Sequence, residues 1–266
     1  MNQPIILFLI FMFSTSSLFS AAAASSSSSQ VNMCKTCPKN PASSMLRALT
    51  FEMLKRSGYQ HPEEIMLHNG IDTRGSPASA SVGEKIIYFS EAHFQGYPHG
   101  IKIATIGHEV VHIKYRHRGG NKENERLADK EGLLLTACEP CGIEIAHHYA
   151  QCQKERLPYE KDYNSVFGHA KIPKSIAEFK LLTPQLQLGF MGLARSVSEI
   201  YPDYDTHPCD LERAFCLYRL SQKPPLKGKM CQFHKQKKEK RKRIVQRILR
   251  EAQRQQKKRT GSCTIL

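Results

Sequence analysis

Five consecutive residues carry the clearest chemical pattern in the chain, His108-Glu109-Val110-Val111-His112. They form the H-E-x-x-H pattern and follow a mostly apolar stretch that is predicted to be helical. Because residues four apart share one face of an α-helix, both imidazoles can bind one Zn²⁺ ion. Glu109 would then lie beside the open coordination position as a general base. A pattern this short arises by chance in about one chain in a hundred of this length. The alternative interpretation is therefore that the two histidines lie on a helix and only form hydrogen bonds.

Two helices joined by a tight turn are expected to bring further ligands to these histidines. Residues 101–117 and 121–137 have helical patterning, and Arg118-Gly119-Gly120 interrupts it. If the two helices form an antiparallel hairpin, residues equally far from the turn lie level, since each residue advances a helix by about 1.5 Å. The start of the second helix then faces the histidines of the first.

Two carboxylates of the second helix occupy those level positions. Glu125 is level with His112, and Asp129 is level with His108. We therefore predict Glu125 as the third zinc ligand and Asp129 as the acceptor for a histidine N–H. Glu123 is a weaker candidate because helical period points it elsewhere. A solvated charged face at the start of this helix is the alternative interpretation.

Three motifs, in this order, resemble a known enzyme family. They are His108-Glu-Val-Val-His112 with Arg116-His117, then Glu125-Arg-Leu-Ala-Asp129, then Thr206-His207-Pro208 with Arg213. Together, over roughly residues 45 to 220, they resemble the gluzincin zinc metallopeptidases that include the HtpX protease, the CaaX prenyl endopeptidase and the Oma-type proteases. The gap between His112 and Glu125 is shorter than is usual there, so the chain is similar to a short-gap variant and also resembles the ImmA/IrrE-like zincins.

The resemblance implies the same three zinc ligands and Glu109 as the base of a metalloendopeptidase with one zinc ion per chain and a polypeptide substrate. It adds His207 as a donor to the tetrahedral intermediate and Arg213 as the residue that positions a carboxylate near the metal. It also implies that the strand-like run Lys85 to Ser90 is the edge strand lining the substrate cleft. Tyr201 and Tyr204, near His207, are further candidates for contacting an oxyanion.

Eight cysteines besides Cys263 leave two possibilities open. An even number in an exported chain favours disulfides, with no pairing preferred. Two Cys-x-x-Cys pairs could instead form one zinc site with four thiolates, although about 100 residues separate them and a zinc ribbon has roughly 15 to 20. The eight are Cys34, Cys37, Cys138, Cys141, Cys152, Cys209, Cys216 and Cys231, and the pairs are the first four of them.

Helical patterns dominate the body of the chain. Besides the hairpin, helices are predicted over 42–57, 143–156, 185–201 and 210–222. Lys85 to Ser90 is the only clear strand, and residues 68–84, rich in Gly, Ser, Asn and Pro, are predicted to be loop. The expected fold class is α+β, zincin-like and mostly helical, with a small β-sheet beside the active-site helix.

Positive charge is concentrated at one end of the chain. The net charge is +15, yet residues 223–259 hold 16 Lys or Arg and two Glu, so the rest is nearly neutral. Such a tail favours an anionic partner. Ile244, Val245, Ile248 and Leu249 would form an apolar stripe on a helix there, which favours an anionic membrane surface and disfavours nucleic acid.

The two ends of the chain carry opposing targeting signals. Residues 1–24 resemble a secretory signal peptide, with an uncleaved anchor as the alternative, and residues 25–41 a flexible linker. The metallopeptidase domain is expected over 42–222 and the polybasic, partly helical tail over 223–262. Residues 263–266 have the C-a-a-X form, in which Cys263 would be prenylated.

Export from the producing cell, to a periplasm or outside, is the expected location. Prenylation requires a eukaryotic cytosol, so the alternative is attachment to a host membrane after delivery by an intracellular bacterium. The sequence thus predicts a zinc metalloendopeptidase. The alternative function is an inactive zincin scaffold that binds a membrane surface, or nucleic acid, through its tail.

Overall fold

The fold is known for seven stretches of the chain. The computed structural model describes residues 35–36, 42–70, 77–118, 120–155, 173, 175–200 and 206–261. All of them belong to one unit over residues 33–266.

Helices make up most of the described chain. They are α1 (Ser44–Arg56), α2 (Glu91–Gly96), α3 (His99–Tyr115), α4 (Lys122–Thr136), α5 (Glu139–Glu155), α6 (Ile176–Lys180), α7 (Pro184–Ile200), α8 (Asp210–Ser221) and α9 (Gln232–Gly261), with a 3₁₀ turn at Pro62–Glu64. The strands are β1 (Lys35–Thr36), β2 (Met66–Asn69), β3 (Ala78–Ser81) and β4 (Ile86–Phe89). The fold is therefore α+β and mostly helical with a small sheet, as the patterns predicted.

The sheet differs from the sequence prediction in which strand lies at its edge. Its order is β1-β2-β4-β3, with β3 antiparallel to β4 and the other pairs parallel. The predicted strand, Ile86–Phe89, lies between two neighbours, so it is not the edge strand. Residues 68–84 were predicted to be loop, but they contain Ala78–Ser81, which forms that edge, and the end of β2.

The helix α3 lies between two hydrophobic cores. Ile106, Val110 and Ile113 pack with α1 and the sheet, whereas Ile101 and Ala104 pack with α4, α5 and α8. A helix that is apolar on several sides is stable only when it is enclosed, which explains the long apolar stretch around the H-E-x-x-H pattern. The pattern therefore lies on a helix that is packed on two sides.

The helices α3 and α4 form the expected antiparallel hairpin and approach closely. The turn begins at Arg116, whose φ of 54° ends α3, and the Asn121 side chain caps α4 by accepting from the backbone N–H of Asn124. A Cβ atom on Gly107 would lie 2.5 Å from the carbonyl oxygen of Gly132. The absence of side chains at these two positions lets the helices meet at the level of the histidines.

The helical body extends beyond residue 222, where the sequence suggested that the tail begins. Leu226 is fully buried in the core formed by α5 to α8, and His234 is also buried. From Lys235 to Gln256 every side chain of α9 is exposed. The basic helix thus leaves the body near residue 235.

Candidate metal centre

The three predicted ligands meet between α3 and α4. His108 Nε2 lies 3.0 Å from His112 Nε2 and 3.1 Å from Glu125 Oε2, and His112 Nε2 lies 3.4 Å from Glu125 Oε1. Two ligands of a tetrahedral zinc ion, each about 2.0–2.1 Å from it, are about 3.3 Å apart. The three side chains could therefore hold one metal ion without rearrangement.

The electrostatic environment of this site favours a cation. Burial lowers the pKa of His108, but the neighbouring Asp129 and Glu125 carboxylates raise it to about 10. Burial raises the pKa of Glu125, but His108 and His112 hold it well below its usual range. Glu125 Oε2 is buried and accepts no hydrogen bond of good geometry. A divalent cation would supply the missing partner of this oxygen.

Asp129 and Arg213 support the first histidine, as their predicted roles require. Asp129 Oδ1 is 2.9 Å from His108 Nδ1. Arg213, on α8, donates to both oxygens of Asp129 over 2.7 Å, and the Arg213 guanidinium carbon lies 4.0 Å from the centre of the Tyr149 ring. Bidentate pairing of this kind fixes a carboxylate in both position and orientation. His108 is thereby held with Nδ1 protonated and with Nε2 facing the other ligands.

Glu109 lines the cavity beside the three ligands. The cavity has a volume of about 750 Å³, and His108, Glu109 and His112 all contribute to its wall. Only 7% of Glu109 is exposed, and burial raises the pKa of its carboxyl group. A carboxylate whose pKa is shifted toward neutrality is suited to proton transfer. The three possible ligands therefore border, together with the buried Glu109 carboxyl group, a space large enough for part of a peptide.

His207 reaches the same cavity from the loop before α8. Its Nε2 is 3.3 Å from Glu125 Oε2, and its Nδ1 is 2.7 Å from the hydroxyl oxygen of Thr206. Its side chain is about half exposed, unlike the buried ligands. The structure thus brings His207 beside Glu125 at the wall of the cavity.

His117 is a member of this site to which the sequence assigned no role. Its Nδ1 lies 3.0 Å from His112 Nδ1, and its ring also lines the cavity. The chain reaches this position because Arg116 adopts a left-handed conformation that turns the next residue back toward α3. The His112-to-His117 spacing lacks helical period, so pattern analysis could not place it.

The edge strand β3 forms another wall of the cavity. Ala78, Ser79 and Ala80 line it, and β3 packs against α3. The role that the resemblance gave to Lys85–Ser90 is therefore filled by the neighbouring strand. The physical reason is that β4 is already hydrogen-bonded on both sides, by β2 and β3.

A second group of possible metal ligands, which we call the thiol cluster, lies at the start of α9. It consists of Cys138, Cys141, Cys231 and His234, whose donor atoms all lie within 4.8 Å of one another. No disulfide joins any two of the six described cysteines, so the predicted disulfides are absent among them. The sulfurs of Cys141 and Cys231 are 3.9 Å apart, whereas a disulfide requires about 2.05 Å.

The sequence indicated half of the thiol cluster. Cys138-x-x-Cys141 was a candidate zinc-binding pair, but Cys34 and Cys37, its expected partners, lie outside the described residues. The observed partners form a second short motif, Cys231-x-x-His234. A search for Cys-x-x-His together with Cys-x-x-Cys would have found it, since both spacings are typical of zinc ligands.

The remaining residues that the sequence analysis named do not form part of the described metal centre. Glu123 pairs with Arg126 and Arg195 at the surface, so it is not a ligand. Tyr201, Tyr204 and Cys263, like residues 1–34, lie outside the described residues. Among the residues that are described, none of the helices has the length and apolarity needed to cross a bilayer.

Comparisons of the chain with protein-family models, with curated proteins and with solved structures found no match. The chemistry of the site is therefore inferred from its own geometry.

Proposed function

We propose that the protein is a zinc-dependent metalloendopeptidase with a zincin-like fold. The convergence of His108, His112 and Glu125 beside Glu109, in a cavity that admits a peptide, carries the proposal. Two histidines and a glutamate with an open fourth position are a ligand set typical of catalytic zinc. The ordered motifs that resemble gluzincin peptidases support the same conclusion.

The chain supplies a group for each step of hydrolysis. Zinc, when bound, lowers the pKa of water toward about 7 and polarises a carbonyl oxygen. Glu109 accepts the proton of the attacking water and can then pass it to the leaving amine. His207 donates a hydrogen bond to the oxyanion that develops on the substrate. Asp129 keeps His108 in the tautomer and orientation that a metal ligand needs.

The edge strand β3 suggests how a polypeptide would bind. It is the last strand in the order of the described sheet, and Ala78, Ser79 and Ala80 line the cavity. An extended peptide can add to such an edge through main-chain hydrogen bonds. A peptide bound in this way would have its scissile bond between β3 and the His–His–Glu site.

The test replaces the proposed base without removing a metal ligand. Glu109→Gln should retain the zinc content of the wild type and lower the rate of cleavage of casein or a peptide library by about 100-fold or more, since general-base catalysis contributes about 10²–10⁴-fold. Zinc is measured by mass spectrometry, and cleavage by the release of peptides.

Glu123→Gln is the matched control, because it makes the same chemical change at the surface of α4 and should leave both quantities unchanged. Cleavage by Glu109→Gln at the rate of the wild type would contradict the mechanism. Wild-type protein that binds zinc but cleaves no peptide would contradict the proposed function.

The exposed basic helix favours a second function, the binding of an anionic membrane surface. Residues 232–261 hold thirteen Lys or Arg against two Glu, and Ile244, Val245, Ile248 and Leu249 are about half exposed on one side. An amphipathic helix with these features binds at the headgroup level. This function can accompany peptidase activity or, in an inactive scaffold, replace it. Export, prenylation at Cys263 and delivery to a host membrane stay predictions.

A further inference from the structure

We propose that the thiol cluster binds a structural zinc ion that fastens the start of α9 to the helical body. This inference does not depend on peptidase activity. It concerns four side chains that take no part in the catalytic site.

The distances within the thiol cluster match those of a zinc site. His234 Nδ1 lies 3.5 Å from Cys138 Sγ, 3.6 Å from Cys141 Sγ and 3.2 Å from Cys231 Sγ. With Zn–S of about 2.3 Å and Zn–N of about 2.0–2.1 Å, a tetrahedron has N···S edges of about 3.6 Å and S···S edges of about 3.8 Å. The observed Cys141–Cys231 separation of 3.9 Å agrees with the second value.

The imidazole of His234 is oriented as a metal ligand. Its Nε2 is 3.1 Å from Glu144 Oε1, so this nitrogen carries the hydrogen and the Nδ1 lone pair faces the three thiols. A carboxylate behind a ligating histidine is the usual companion of protein-bound zinc. The other oxygen of Glu144 accepts from the backbone N–H of Gly100 over 2.7 Å, which ties the arrangement to the first turn of α3.

The surroundings of the thiol cluster identify its role as structural. Cys138 and Cys141 are fully buried and pack against Ile103, and His234 is 7% exposed. Four protein ligands fill a tetrahedron, which leaves no position for a substrate, and closed sites of this kind are structural. Thiolate ligands favour zinc over magnesium or calcium.

The location of the thiol cluster explains which part of the fold the ion would stabilise. Cys138 lies between α4 and α5 and Cys141 in the first turn of α5, whereas Cys231 and His234 lie at the start of α9. Next to them the rings of Phe233 and His99 stack, with centroids 4.1 Å apart. The ion would therefore join the last helix to the N-terminal end of α3 and fix the direction in which α9 leaves the body.

Cobalt substitution of the full-length protein tests the proposal. Co²⁺ bound by thiolates gives a strong sulfur-to-metal charge-transfer absorption in the near ultraviolet, which a site of two histidines and a glutamate cannot give. We expect this absorption in the wild type and in His112→Ala, and its loss in Cys141→Ser/Cys231→Ser. Cys216→Ser, whose thiol lies outside the thiol cluster, is the control that should retain it. Absence of the absorption in the wild type, or its persistence in the double variant, would overturn the proposal.

Measuring the zinc content gives an independent count of the metal sites in each chain. Wild-type protein is expected to hold two zinc ions per chain, and His112→Ala and the double cysteine variant one each. A result of one in the wild type, lost in His112→Ala, would exclude the thiol cluster while leaving the peptidase site intact. One zinc ion in the wild type that is lost only in the double cysteine variant would show that the thiol cluster binds zinc and that the His–His–Glu site does not.

Alkylation of the wild type covers the case in which the double variant does not fold. Zinc should protect Cys231, the partly exposed thiol of the thiol cluster, from iodoacetamide, mapped by peptide mass spectrometry, while Cys216 reacts equally with and without zinc. Labelling of Cys231 to the same extent in both conditions would refute the inference.

Discussion

The two ring nitrogens of His108 face different partners, and this division determines what the residue can do. Nδ1 meets the Asp129 carboxylate, and Nε2 meets His112 and Glu125. Arg213 in turn binds both oxygens of Asp129. The orientation of one metal ligand therefore depends on a guanidinium that does not touch the metal site.

Arg213→Lys tests that dependence. A lysine keeps the positive charge but cannot bind both oxygens of Asp129, so His108 loses part of its support. We expect zinc affinity at the His–His–Glu site, measured by competition with a chelator in protein lacking zinc at the thiol cluster, to fall by about tenfold or more.

Arg219→Lys, on the same helix, is the control for that change, because Arg219 contacts Met191 and not Asp129. Equal zinc affinity in the Arg213 and Arg219 variants would show that the guanidinium does not support His108.

The sequence predicted the His–His–Glu group better than the thiol cluster. Glu125 and Asp129 could be placed because both lie on a short hairpin, where distance from the turn fixes the level of a residue. His234 was missed because its partners Cys138 and Cys141 are 96 and 93 residues away, so no local period connects them and only the short Cys231-x-x-His234 spacing points to it.

The contact between α3 and α4 depends on two glycines. A Cβ atom on Gly132 would lie 2.5 Å from the backbone nitrogen of His108, closer than carbon and nitrogen can approach without displacement. Because both helices carry ligands at this level, any separation of the helices also separates the ligands.

Gly132→Ala is therefore expected to destabilise the protein by about 1–3 kcal/mol, the usual cost of overpacking, and to weaken zinc binding. Thermal or urea unfolding and zinc titration would measure the two effects. Gly192→Ala is the control, since nothing lies within 4 Å of its added carbon and alanine favours the interior of α7. Unchanged stability and zinc affinity in Gly132→Ala would contradict the packing argument.

An arginine joins α4 to both α7 and α8. Arg126 lies 2.6 Å from Glu212, 2.7 Å from Glu199 and 2.6 Å from Glu123, and Glu212 is buried. The Ser198 hydroxyl also donates to Glu212. The buried carboxylate of α8 thus relies on a cation from α4.

Replacing this arginine should be costly for stability. Arg126→Met leaves Glu212 buried without its cation, so we expect a loss of about 3 kcal/mol in the free energy of unfolding, measured with urea. Arg56→Met removes an exposed pair with Glu52 and should cost less than about 1 kcal/mol. Similar losses in the free energy of unfolding in the two variants would show that the buried Glu212 carboxylate does not depend on Arg126 for its stability.

The elements differ in how well the sequence predicted them. The long helices carry period and caps, as Ser43 does for α1, so their bounds were found to within a few residues. The strands β2 and β3 have four residues each, too few for a reliable alternation, and Ala78–Ser81 is made of small residues common in loops. Their strand conformation comes from pairing with β4, which is a tertiary effect.

Charge separates the whole molecule into a nearly neutral body and a cationic helix. The wild type is expected to bind vesicles that contain anionic lipid, with an affinity that falls as salt rises, and not neutral vesicles. Ile248→Ser/Leu249→Ser should weaken this binding about tenfold, because each half-exposed apolar side chain would bury about half of its surface in the lipid. Vesicle sedimentation measures both quantities.

Leu186→Ser/Leu188→Ser is the matched control, because these leucines are equally exposed but lie on α7. Equal binding to neutral vesicles, or equal weakening by both pairs, would contradict membrane attachment through α9. Binding to nucleic acid without binding to vesicles would identify the other class of anionic partner.

The small side chains of β3 bear on substrate selectivity. Alternating alanine and serine offer a bound peptide main-chain groups but no deep side-chain pockets, so this wall of the cavity would tolerate many sequences. If the protein is the proposed peptidase, discrimination among substrates would come from the larger side chains of the cavity, which include Tyr97, Ile145 and Leu217. The main chain of a bound peptide would fix its alignment on β3. The peptide side chains that contact Tyr97, Ile145 and Leu217 would determine which sequences bind.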